Sequence, residues 1–401
     1  MRDCFRPRIG ACHAFRRWVG VALTFALTGF LAAAPTPTWA GGGPENVLLV
    51  VNSNSLDSKT IANHYIEFRN IPSSNVLYID WRGGRESISG NQFSAKILQP
   101  IIETIAERRL SSQIDYVVYS CDIPWRVNLQ PLFPEEKFPK PFRPIASTNS
   151  ATYLWQFVRD KNPAIVMPNV NWYVPNDGGN NDHRCETIGN VPSRGFRSSY
   201  AWESNGSRTT HREKGQTYLL STMLGVTAGR GNTVDEIIAY LRRAAMADAT
   251  RPRGTFYYMK NNNVRSTTRD ACFPAAVEQI KRLGVAATIA TGTVPGGASE
   301  VLGFMTGAAN LDLKGSAARL QPGAIVDNLT SLGGDLQAKA GQTPLTEFLR
   351  LGAAGASGTV VEPLALQSKF ALPTLFIHYA RGCSLAESYY QSVSSPYQFL
   401  I

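Results

Sequence analysis

The chain has 401 residues and a formal net charge of +10. Its six cysteines are too few and too scattered for a disulfide scaffold, and none has the spacing of a zinc site. The cations are dispersed as Arg108-Arg109, Arg242-Arg243 and Lys281-Arg282 near expected helix ends, where they favour the helix dipole, and no nucleic-acid motif accompanies them. Nucleic acid is therefore excluded as an expected partner.

Residues 1–40 have the form of an export signal. Arg2, Arg6, Arg8, Arg16 and Arg17 make a basic start, Trp18 to Ala34 is apolar, and Thr38-Trp39-Ala40 brackets a cleavage site. The apolar run is shorter than the roughly 20 residues a spanning helix needs, and it stops at Pro35. Cleavage after Ala40 is expected, with an exported product (periplasmic, cell-surface or secreted) that has no membrane span. Losing five arginines and one aspartate lowers the formal charge from +10 to +6. The remaining residues, 41–401, suit one α/β domain with an insertion. Cys121, Cys185, Cys272 and Cys383 stay with it, and an oxidising compartment allows one or two disulfides among them.

From there strands and helices alternate. NVLLVVN (46–52) predicts a strand, Asp57 a helix N-cap with Ile61, Tyr65 and Phe68 on one face, and NVLYID (75–80) a second strand. Ile97, Leu98, Ile101, Ile102 and Ile105 share a helix face, with Pro100 either kinking that helix or starting its second half. IDYVVYSC (114–121) predicts a third strand. Residues 122–215 then break the pattern: the stretch from Pro131 to Gly215 is rich in Pro, Asn, Gly and Arg yet holds Trp155, Trp172 and Trp202, with Trp125 just before it. Disordered segments are poor in aromatics, so an ordered insertion over the carboxyl edge of the sheet is expected.

Alternation resumes with a capping box, Thr233 with Glu236, and a buried stripe of Val234, Ile237, Ile238, Leu241 and Ala245. GTFYYMKN (254–261), a helix from Pro274 to Leu283 stopped by Gly284, VAATIAT (285–291), GAIVDNLTS (323–331), a short helix from Thr343-Pro344, GTVVEP (358–363) and a second capping box, Ser384 with Glu387, follow. The pattern predicts an α/β fold with a mostly parallel central sheet flanked by helices in three layers, of caspase- or flavodoxin-like type.

Open α/β sheets bind ligands outside the carboxyl ends of their strands. That rule points to Asn52, Asn54, Ser55, Arg126, Asn262, Arg265 and Thr330 as ligand-binding candidates, with Arg126 and Arg265 suited to an anionic or strongly hydrogen-bonding ligand. Asp122, Asp327 and Glu362 are acids at or near strand ends, each reading first as a structural group, Asp327 as a hydrogen-bond partner inside its strand, and alternatively as half of an acid–base pair. Ser331, in Thr330-Ser331-Leu332-Gly333-Gly334, is a candidate nucleophile without a G-x-S-x-G elbow, though the small residues read first as a tight turn. Ser331, Asp122 and Glu362 form the candidate catalytic set. Of the histidines, His64 and His378 fall in helices, and His183 and His211 in the insertion. Asn176 to His183 is oxygen-rich but lacks EF-hand spacing. Gly352, Gly355 and Gly358 follow a helix and precede the last strand, the reverse of a dinucleotide loop, so no cofactor or metal is expected.

At NVLLVVNSNSLDSKTIANHYIEFRNIPSSNVLYID, DIPWRV, VLGFMTGAAN, GAIVDNLTSLGG and GASGTVVEP the chain resembles an uncharacterised family of exported bacterial proteins, over nearly its whole mature length. Members usually continue into a Gly-Asp-Pro segment, so the resemblance implies further chain beyond Ile401. More distantly it resembles the gingipain-like, caspase-fold cysteine peptidases, whose strands end in a catalytic His-Gly and a catalytic Cys. Here Thr306-Gly307 stands for the first and Thr330-Ser331 for the second. That resemblance implies a shared fold without cysteine-peptidase activity: a non-catalytic or degenerate protein binding a ligand or surface partner at the carboxyl edge. A hydrolase of peptidase, esterase or glycosidase type using the strand-end polar residues is the alternative.

Overall fold

Strand β1 (Val47–Asn52) opens the fold of the computed structural model, which describes residues 41–175, 188 and 191–401. Helix α1 (Leu56–Arg69) and β2 (Val76–Ile79) follow. A three-residue strand, β3 (Ser87–Ser89), precedes a broken helical stretch that ends in α2 (Gln99–Glu107). Pro100 has no N–H to return to the preceding turn, and the widened π turn Ser94–Leu98 stands directly before α2, so the proline starts the second half. β4 (Tyr116–Tyr119) completes the unit, and β9 (Leu220–Met223) joins it after β5 (Arg126–Asn128), β6 (Ile145–Ser147), α3 (Thr148–Tyr153), β7 (Ala201–Trp202) and β8 (Arg208–Thr209). The first sheet has the order β2-β1-β4-β9 and is parallel throughout.

Helix α4 (Val234–Ala245) leads to the second half: β10 (Thr255–Lys260), α5 (Phe273–Arg282), β11 (Ala286–Thr291), β12 (Val301–Thr306), β13 (Leu320–Asn328), α6 (Leu345–Arg350), β14 (Gly355–Thr359), α7 (Thr374–Ala380), α8 (Leu385–Tyr390) and β15 (Phe399–Leu400). The second sheet runs β11-β10-β12-β13-β14-β15, parallel except for β15. In both sheets the second strand lies outside the first and the later ones on its other side. This is the 2-1-3-4 order of flavodoxin-like doubly wound sheets, built twice without a visible sequence repeat.

Strand periodicity sends alternate side chains to opposite faces. On one face of the second sheet Phe256 and Tyr258 meet Phe376 of α7, at ring distances of 4.7 and 5.4 Å; on the other, Phe304 meets Phe348 of α6 at 5.8 Å. Helices α1 and α4 pack together, and α6 is tied to α4 by Arg350 on Glu236 at 2.9 Å. The two sheets meet where the Met223 amide donates to the Ile401 carbonyl at 2.9 Å. Their carboxyl-end loops also meet: the Arg230 amide donates to Leu336 O at 2.8 Å, and Gln337 Nε2 to Glu86 Oε2 at 2.9 Å.

Several local readings are corrected. The N-cap of α1 is Ser55, not Asp57: its hydroxyl accepts from the Ser58 amide, and Asp57 sits in the first turn, where a carboxylate favours the helix dipole. The last parallel strand is Gly355–Thr359, three residues before GTVVEP, so Gly355 and Gly358 lie inside it and Glu362 lies beyond its end. Small residues are needed there, since a Cβ on Gly358 would meet the Gly333 backbone at 2.3 Å. The segment from Pro131 to Gly215 is not free of regular structure. Its helix α3 packs against β4 and β9, and Tyr153 stacks between Tyr218 and Tyr390 at 4.6 and 4.0 Å. Trp125 and Trp202 are fully buried, Trp155 and Trp172 partly. Cys272 is disulfide-bonded, whereas Cys121 and Cys383 are buried and free. Cys185, His183 and the loop Asn176 to Asp182 lie outside the described residues.

Candidate functional site

The first switch point lies between β1 and β4, because the chain leaves β1 toward β2 and returns on the other side at β4. Three candidates converge there. Asn52 Nδ2 donates to the Asp122 carbonyl at 2.9 Å, and its Oδ1 accepts from the Asn54 amide at 3.0 Å, an Asx turn that aims the chain into α1. Ser55 Oγ donates to Asp122 Oδ2 at 2.6 Å. Asp122 Oδ1 accepts from Thr227 Oγ1 at 2.5 Å and pairs with Arg85 at 3.2 Å.

Asp122 is almost fully buried and has φ +57°. Aspartate is among the few non-glycine residues that adopt this left-handed conformation readily. The turn brings its carboxylate to the first turn of α1, where the helix partial charge favours an anion. Four loops, after β1, β2, β4 and β9, thus close on one carboxylate. Arg85 is half exposed and is the part of the cluster that faces solvent; Asn54 is exposed and bonded to Asp80. Neighbouring Cys121 is buried and burial pushes its thiol up, the opposite of an activated nucleophile.

At the second switch point, between β10 and β12, Asn261 Nδ2 reaches Gly292 O at 3.2 Å and Gly307 O at 3.4 Å, while Asn262 is exposed and Arg265 bonds to the Asn263 side chain at 3.4 Å. Beneath them Arg269, fully buried, pairs with Asp327 and donates to Ala371 O at 2.7 Å and Thr306 O at 2.6 Å. Ser357 Oγ donates to the other Asp327 oxygen at 2.6 Å, so Asp327 is a structural group at the centre of the sheet.

Thr330 and Ser331 follow β13 at the same edge. Thr330 Oγ1 and Gln342 Oε1 are 2.6 Å apart, and Thr359 Oγ1 donates to the carbonyls of Thr330 at 3.2 Å and Ser331 at 3.0 Å. The Gly334 amide donates to Thr359 O at 3.0 Å and is therefore not free to serve as an oxyanion donor. Glu362 Oε1 accepts from the Leu364 amide at 2.8 Å. Arg126 stacks over Trp125 at 5.1 Å.

Among the described residues, no hydrogen bond or ion pair joins Asp122, Ser331 and Glu362 to one another. Nor does any histidine among the described residues reach them. His64 pairs with Glu67 on an exposed helix face, and His211 with Glu213. His378 is buried against Ser193, 2.8 Å from Nδ1 to Oγ, and burial lowers its pKa to about 3, with Arg381 and Arg194 adding to the effect. An imidazole so disfavoured as a cation is a poor general base. Sequence reasoning missed Arg85 and Thr227. Arg85 sits in a Gly-rich loop, and Thr227 follows a strand, Leu-Ser-Thr-Met, too mixed to announce itself.

Among the described residues no group of histidines, cysteines and carboxylates could hold a metal ion, and no helix is long and apolar enough to cross a membrane. No protein-family model, curated protein or solved structure matches the chain.

Proposed function

We propose that this is an exported, non-catalytic protein of degenerate caspase-fold-like type that uses the carboxyl edge of its sheets to bind a ligand or surface partner. The observation that carries the reading is that the groups a hydrolase would use are engaged with neighbours or lack a catalytic partner. Asp122 is held by Ser55, Thr227 and Arg85, the Glu362 carboxylate accepts from a backbone amide, the Gly334 amide is spent on Thr359, and Ser331 has no imidazole partner among the described residues. A nucleophile needs a base within hydrogen-bond reach. What the edge offers instead is a set of pinned loops presenting Arg85, Asn54 and Asn262, with Arg126 at the start of β5, suited to a partner rich in carboxylates or other acceptors.

The test is turnover against peptide, ester and glycan panels by the purified protein and by Ser331→Ala. The binding reading expects no turnover from either, and loss of partner capture from a surface extract on Arg85→Ala. Turnover that Ser331→Ala abolishes by orders of magnitude would instead establish the hydrolase.

A further inference from the structure

The outer edge of β11 differs from every other strand end of the two sheets. At the opposite extreme β2 is four residues long, and the Arg108 guanidinium sits on its edge, donating to Val76 O at 2.9 Å and to Ser74 O at 2.6 Å. β11 is six residues, Ala-Ala-Thr-Ile-Ala-Thr, with no charge and no proline; among the described residues it pairs only with β10, and Ile289 is 38% exposed. Proteins normally blunt such edges with charges, prolines, bulges or a covering segment.

Beside this edge, on one face of the sheet, lies a cleft of about 360 Å³ lined by Tyr257, Met259, Ala290, Val294, Gly296 and Ala298, among others. The register places Tyr257 beside Thr288 and Met259 beside Ala290. A strand added outside β11 would project alternate side chains over that same face. Backbone pairing at an edge together with a pocket for alternate side chains is the geometry of strand addition.

We propose that β11 captures an extended peptide segment of another protein, uncharged in its centre and acidic at its ends, as an added strand with a side chain in the cleft. Charge selects this occupant over a second copy. Lys281 and Arg282 stand at the amino end of β11, and Lys260, in register with Thr291, at its carboxyl end. Arg282 is matched by Glu278 and Lys260 by Asp270 at 3.7 Å, while Lys281 enters no ion pair among the described residues. Antiparallel pairing of two β11 strands would bring the cationic end of one copy against Lys260 of the other. Like charges brought close across paired strands are destabilising, whereas aspartates flanking a peptide meet Lys281, which no described acid matches, at one end and Lys260 of the neighbouring strand, 3.7 Å from Asp270, at the other. The cleft borders the loop that follows β11, but the free strand edge on which the capture rests is distinct from the Asp122 cluster and does not depend on its function.

The probe is a fluorescein-labelled synthetic peptide with an alternating valine–threonine centre and two aspartates at each end, titrated against the full chain by anisotropy. Saturable binding is expected, with new amide protection over residues 286–291 and at least about a tenfold affinity loss on Ile289→Lys, which charges the edge, and on Ala290→Trp, which fills the cleft. Lys281→Glu and a lysine-ended peptide should weaken binding similarly. Ile289 is exposed, so the lysine variant tests the edge even where the tryptophan variant does not fold. No saturable binding, equal affinity for the lysine-ended peptide, or binding untouched by Ile289→Lys overturns the proposal. A dimer of the free protein that Ile289→Lys dissociates overturns it in favour of a second copy.

Discussion

The Ser55 hydroxyl serves two masters: it accepts from the Ser58 amide at 3.0 Å to cap α1, and it donates to Asp122 Oδ2 at 2.6 Å. Helix start and strand end are thereby fixed by one oxygen, and the loop after β1 cannot move without loosening the turn after β4.

Asp122→Ala should therefore cost more than the loss of a surface acid. It leaves the Ser55 and Thr227 hydroxyls short of an acceptor and retains an unfavourable left-handed alanine. A loss of about 2–4 kcal/mol is expected. Urea unfolding measures it; a change within experimental error would show that the cluster is not structural.

Arg269 and Asp327 form a fully buried ion pair. Arg269→Met should destabilise by about 3–5 kcal/mol, because Asp327 is left as an uncompensated charge, while the double variant Arg269→Met, Asp327→Asn should recover part of the loss. A double-variant cycle with additive costs would contradict the coupling.

Burial raises Asp115 to about 6 from its ordinary 3.8, against the opposing influence of the Ser198 amide and Arg197. A carboxyl whose folded pKa exceeds its unfolded one binds more protons when folded, so its contribution to stability rises as pH falls from about 6 toward 3.8. Asp115→Asn should remove that component, and denaturant midpoints for both proteins across this range measure it. Identical pH profiles would count against the shift.

Lys369 has the mirror-image behaviour. Its side chain is enclosed by Phe142 and Tyr397, each 5.3 Å away, and donates to Pro141 O; burial lowers it to about 8, with Glu362 opposing. Because the unfolded chain binds the extra proton, this residue's contribution to stability should rise between about pH 8 and 10.5. Lys369→Met should abolish that rise, with melting curves at pH 7.5 and 9.5 as the check.

Strands β1, β4, β10 and β13 are legible in the sequence because each contains an apolar, β-branched or aromatic run, and β1, β4 and the carboxyl half of β13 are buried on both faces. β14 is not, because its job is to let the Gly333 and Gly334 backbone approach, and the residues that permit this look like a loop. Both capping boxes are legible for the opposite reason: their two side-chain bonds are local and need no tertiary context. Of the site, the rule about carboxyl ends leads to Asn52, Ser55 and Asp122, but the partners Arg85 and Thr227 come from loops after β2 and β9, whose convergence only the fold creates. Aromatic residues between β4 and β9 suggested order, yet nothing local distinguishes a cap from a helix such as α3 that enters the core.

The strip formed by β15 bears on how the protein reaches its native state. Until this strand is seated, β14 lacks its antiparallel neighbour and the end of β9 lacks the Ile401 carbonyl, so each half-sheet carries an open inner margin. Any species populated before that closure is sticky at two places, and identical chains in the same condition can pair with one another. Refolding yield should consequently fall steeply with protein concentration, a vulnerability that belongs to the intermediate and that the finished molecule conceals.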